Sequence, residues 1–130
     1  MSRLARQVRE CMSDLEEAGD GTLTARFVFP PEFLGFQGHF SGNPVLPAVC
    51  EIQGAVAMLE AWKKTEVVLR EVILAKFSTP VTCDEEVVYA CSMTMQSHGG
   101  ALVKATLTKD GESVARFKLR VAFRGDSERH

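Results

Sequence analysis

Residues 36–53 read FQGHFSGNPVLPAVCEIQ, a loop rich in glycine and proline that runs into an apolar stretch. From Leu46 to Lys64 apolar side chains recur at Val49, Ile52, Ala55, Val56, Leu59 and Trp62. That is helical spacing. Alanine, methionine and glycine fill much of the remaining surface, so most of this helix is expected to be buried. Pro47 suits a first-turn position, and Lys63-Lys64 suit the negative end of the helix dipole. His39 thus stands alone in a loop, just before a buried helix.

Downstream the pattern changes from helical to alternating. Val87, Tyr89, Cys91, Met93 and Met95 form one period-two series. Ala101, Val103, Ala105 and Leu107 form a second, and Ala115, Phe117, Leu119, Val121 and Phe123 a third. Each predicts a half-buried strand. Ser97-His98-Gly99-Gly100 and Lys109-Asp110-Gly111-Glu112 separate them as turns, the second a strong hairpin signal. Val67 to Phe77 is a further β-rich run whose alternation breaks at Glu71, the mark of a bulge or a late start. An apolar helix followed by consecutive antiparallel strands predicts an α+β fold, with the sheet wrapped around the helix.

Upstream, Leu23, Ala25, Phe27 and Phe29 make another strand, ended by Pro30-Pro31. Leu4, Val8, Cys11, Met12 and Leu15 give a helical period over the first seventeen residues, while a β-hairpin through Ala18-Gly19-Asp20-Gly21 also fits. The pattern favours helix. With 130 residues the chain has the size of one domain, residues 1–130, ending in a polar tail (124–130) expected to fray.

The formal net charge of -2 and the lack of a dense basic cluster disfavour nucleic-acid binding. No apolar run approaches the roughly 20 residues that span a bilayer, and the N-terminus MSRLARQVRE has no apolar signal core. A cytoplasmic location is expected. The four cysteines, Cys11, Cys50, Cys83 and Cys91, match no zinc or CxxC spacing and are expected as free thiols. With three histidines, one of them terminal, no metal site and no cofactor are expected.

Phe36, Gly38-His39-Phe40, Gly42, Pro44, Leu46-Pro47 and Val49 together resemble the signature of the β-hydroxyacyl-acyl-carrier-protein dehydratases, F-x-G-H-F-P-G-x-P-x-L-P-G-V. AKFSTPV at 75–81 resembles that family's A-K-F-x-x-P-V element, and Lys109-Asp110-Gly111 falls at a hairpin the family shares. The resemblance implies a hotdog fold, an antiparallel sheet around one long central helix. It also implies a homodimer with its sites at the interface, and a substrate that is a fatty acyl thioester of acyl carrier protein or coenzyme A. Ser41 and Ala48 replace the family's proline and glycine, both by small residues. The family keeps a carboxylate fourteen positions after the histidine, on the helix of the neighbouring subunit; here that position is Gln53.

Dehydration of a 3-hydroxyacyl thioester needs a base for the α-proton, a donor for the enolate-like oxygen and an acid for the departing hydroxyl. His39 fits the base, since imidazole titrates near neutral pH. The N–H groups of Ala48 and Val49, at the helix start, fit the donor. By the resemblance, Phe36, Gly38, Phe40, Pro47, Ala48 and Val49 line the substrate. Gln53 can hydrogen-bond a hydroxyl or hold a water, but its amide delivers no proton.

Glu51 lies about 200° around the helix from Gln53 and reads as a solvated first-turn carboxylate. Glu60 shares Gln53's face but lies about 10 Å further along. Cys50 reads as a buried inert thiol, His98 as a surface residue, and Met58, Met93 and Met95 as core. Three functions stay open: a dehydratase weakened at its acid position, a thioesterase in which Gln53 positions water, and a non-catalytic acyl-binding homologue.

Overall fold

The structure, a computed structural model, describes residues 2–37 and 44–124. Helix α1 (Arg3–Glu10) is capped by the Ser2 hydroxyl, which accepts from the Ala5 N–H. Strand β1 (Met12–Glu17) follows after a single residue, and a turn through 18–21 leads to β2 (Leu23–Val28). A short 3-10 turn (Leu34–Phe36) precedes helix α2 (Ala48–Lys63). Four long strands complete the chain: β3 (Val67–Phe77), β4 (Glu86–Met95), β5 (Gly100–Lys109) and β6 (Glu112–Phe123). Asp110 and Gly111 both take positive φ, 50° and 81°, as the tight β5–β6 turn requires.

The six strands form one antiparallel sheet in the order β1-β2-β4-β5-β6-β3. The α+β arrangement expected from the sequence is therefore present, with α2 against one face of the sheet. Alternation along β4, β5 and β6 points Val87, Tyr89, Cys91, Val103, Leu107, Phe117 and Leu119 inward, each buried. Phe27 stacks on Phe29 at 5.9 Å and tilts against Tyr89 at 4.5 Å, so aromatic packing joins β2 and β4 beneath the helix. Met58 and Leu59 of α2 are fully buried, each contributing roughly 1.5–3 kcal/mol relative to exposure.

The N-terminal segment is both of the alternatives its pattern allowed. The helical period holds to Glu10, where the chain turns extended and hairpins into β2. The break expected near Glu71 is a bulge between Leu69 and Glu71, with a second between Val72 and Leu74. Met58 is core and Met93 packs at its margin, but Met95, the last residue of β4, is 52% exposed.

Strand β3 is the outlier in burial. It lies at the sheet edge, and after Val67 almost all of its length is exposed, including Leu69, Val72, Ile73, Leu74 and Phe77. A long apolar edge with unpaired backbone groups is a ready template for another strand.

Candidate active site

The chain entering α2 is pinned to the connection between β3 and β4. Leu46 N–H donates to the Val81 carbonyl at 2.7 Å, and the Thr82 hydroxyl donates to the Pro44 carbonyl at 2.6 Å. Pro47 becomes the N-cap, one place earlier than its expected first-turn position, and offers no side-chain acceptor. Its carbonyl receives the N–H groups of Cys50 and Glu51. Among the described residues, the N–H groups of Ala48 and Val49 meet no acceptor, which leaves the positive end of α2 open to a ligand oxygen. Ala48 and Val49 are both exposed, Val49 by 64%.

Gln53 lines a groove of about 770 Å³ between α2 and the start of β3. Val49, Ile52 and Val56 form the helix wall, and Val67 to Leu69 form the strand wall. Glu60 lies in the same groove, as its spacing from Gln53 implied, but its Oε2 accepts the Val67 N–H at 2.9 Å and so anchors β3. Phe36 is buried and meets Phe33 edge-on at 5.6 Å, so within this chain it packs in the aromatic cluster. Gly38, His39 and Phe40 lie outside the described residues.

Glu51 corrects the sequence reading. It points away from Gln53 as expected, but it is not solvated: 3% of it is exposed, and among the described residues its Oε1 has no hydrogen-bond partner. Burial lifts its pKa from the usual 4.5 to about 7. The cause is the helix orientation. The innermost stripe of α2 runs Glu51, Gly54, Ala55, Met58, while the larger Val49 and Ile52 turn toward the groove. Small residues on the inner stripe let α2 approach the sheet closely, and Glu51 is carried in with them. A spacing of three and four residues from Glu51 to Gly54 and Ala55 was the signal for this.

Tyr89 reads the same stripe. Its hydroxyl donates to the Glu51 carbonyl at 2.7 Å, over the gap left by Gly54. A Cβ at Gly54 would lie 2.5 Å from that hydroxyl and 2.8 Å from Cζ of the ring. Gly54→Ala is expected to destabilise the fold by about 1–3 kcal/mol despite alanine's better helix propensity, read as a lower urea midpoint. An unchanged or raised midpoint would show that the ring can move aside. Burial, with the adjacent Glu51 charge second, pushes the Cys50 thiol up, in keeping with an inert thiol.

The chain matches the ApeI-like family, described as ApeI dehydratase, over residues 15–118. The chain belongs to the ApeI-like family. The match covers β2, α2 and β3 to β5 whole, with most of β6, so it includes the segment that opens into α2. No curated protein matches the chain by sequence.

Among solved structures, the dehydratase heterocomplex ApeI:P from Xenorhabdus doucetiae shares 16% identity and a TM-score of 0.73, covering 85% of this chain and 96% of that one. A hypothetical thioesterase with coenzyme A from Streptococcus pneumoniae TIGR4 shares 10% identity and a TM-score of 0.63, covering 85% and 84%. An HP0420 homologue from Helicobacter felis shares 16% identity and a TM-score of 0.65, covering 88% and 89%. Likeness at such identity shows the fold alone, and it is the hotdog fold. Among the described residues, no helix of this ApeI-like protein is long and apolar enough to cross a membrane.

Proposed function

We propose that this protein adds water to, or eliminates it from, fatty acyl thioesters carried on acyl carrier protein or coenzyme A. The observation that carries the reading is the open N-terminus of α2 beside a groove lined by Gln53, in a chain of the ApeI-like dehydratase family. The thioester oxygen sits at the Ala48 and Val49 N–H groups, where the helix dipole and two free donors stabilise an enolate-like charge. His39 takes the α-proton. Gln53 holds the β-hydroxyl or a water by hydrogen bonds and supplies no proton, so turnover is slow.

The working unit is a homodimer. The exposed apolar edge of β3 supports pairing with the same strand of a second copy, which would close the groove over Gln53. The Xenorhabdus doucetiae relative is a heterocomplex, and the Streptococcus pneumoniae one was solved with coenzyme A, which supports both an assembled site and an acyl carrier ligand.

Conversion of a 2-enoyl thioester to its 3-hydroxyacyl form, followed by loss of enoyl absorbance, tests the reading. His39→Ala is expected to lower that rate by more than tenfold while leaving the fold intact. Equal rates in the two proteins would remove His39 from the chemistry.

A further inference from the structure

The face of the sheet turned away from α2 carries a cationic stripe that the thioester chemistry does not use. Lys104 of β5 lies directly opposite Lys118 of β6, and Arg116, two residues along β6, lies directly opposite Lys76 of β3. Residues directly opposite in an antiparallel ladder share a face, and like charges so placed destabilise the sheet. Two such pairs in succession stand in a chain whose net charge is -2. None of the four cations has an ion pair among the described residues. Glu71, the acid of the same ladder, is held by Arg120. Lysine on an edge strand guards against aggregation, which would account for Lys76, but β5 and β6 are interior strands.

We propose that this stripe is a docking surface for an acidic α-helix of a partner protein. Cross-strand pairs stand about 5 Å apart at Cβ, the spacing of carboxylates three or four residues apart on a helix. From Lys104 to Lys76 the stripe crosses two strand spacings and two residues of rise, about 12 Å, which is close to two helical turns. Leu102, half-buried beside Lys104, and Leu74, exposed and opposite Lys118, add apolar contact between the charges. A folded protein partner fits that mixture better than a phosphate backbone, which offers charge alone.

The test uses a labelled helical peptide with glutamates four residues apart, beside phosphatidylglycerol vesicles and a DNA duplex. Full-length protein is expected to bind the peptide saturably. Lys104→Glu combined with Arg116→Glu turns both like-charge pairs into opposite-charge pairs. This variant is expected to melt no lower than the wild type while losing at least tenfold in affinity. Arg3→Glu combined with Arg6→Glu, at exposed positions of α1, is expected to bind as the wild type does. Absent saturable binding, an equal loss in the α1 variant, or tighter binding to vesicles or duplex would overturn the proposal.

Discussion

Gln53→Glu is expected to raise the rate of enoyl-thioester hydration by at least tenfold, toward the 10²- to 10⁴-fold that a general acid typically contributes. Gln53 lines the groove between α2 and β3, half-buried, with Val49 and Ile52 on its own wall. Glutamate has the same length and shape, so the substitution changes proton chemistry with little change in packing. A carboxyl there can protonate a departing hydroxyl, and in the reverse direction it can activate the water. Among the described residues the other carboxylates of the groove are already engaged, Glu60 by the Val67 N–H and Glu66 by Arg124, while Glu51 faces the sheet. A thioesterase that uses the Gln53 amide to position water would instead be damaged by the same substitution.

Glu51→Gln is expected to stabilise the fold by about 3 kcal/mol at about pH 8 and by little at about pH 4. The wild-type carboxyl has its pKa lifted from 4.5 to about 7 by burial. Below the lower value it is neutral in both folded and unfolded chains. Between the two values the native state holds the proton while the unfolded chain releases it. Stability then falls as pH rises, by about 1.4 kcal/mol per unit, and levels off above the folded pKa. Glutamine does not titrate, so its profile lacks this fall. Tyr89, Cys50 and Cys91 lie nearby, and burial first of all pushes each of them up, away from the carboxyl's range. Urea midpoints of both proteins across that range check the claim. A gap that stays constant with pH would mean that Glu51 is solvated after all.

The strands were legible because each of β4, β5 and β6 buries one face, so alternation in the sequence is alternation in burial. The N-terminus was not, because one apolar series, Leu4 to Leu15, runs across the break at Cys11, with Leu4 and Val8 on α1 and Met12 and Leu15 on β1. In α2 the existence of a buried helix followed from composition, but its orientation did not. Val49, Ile52 and Val56 belong to the apolar series yet line the groove, whereas the buried stripe beside Tyr89 runs through Glu51, Gly54 and Ala55. Val49, Ile52 and Val56 face the groove beside the edge strand, while Met58 and Leu59 fill the core. Of the candidate site, Gln53 lines the groove and Ala48 and Val49 stand exposed at the start of α2, while Gly38, His39 and Phe40 lie outside the described residues.

The proposed chemistry is water addition to, and elimination from, a thioester that stays intact. The most direct measurement follows a 2-enoyl thioester and wild-type protein with two readouts at once, loss of enoyl absorbance and release of free thiol. The predicted result is slow formation of the 3-hydroxyacyl thioester, dependent on His39, with no thiol released. Thiol release without the 3-hydroxyacyl product would contradict it and make the protein a hydrolase. Binding of the thioester with neither reaction would contradict it equally.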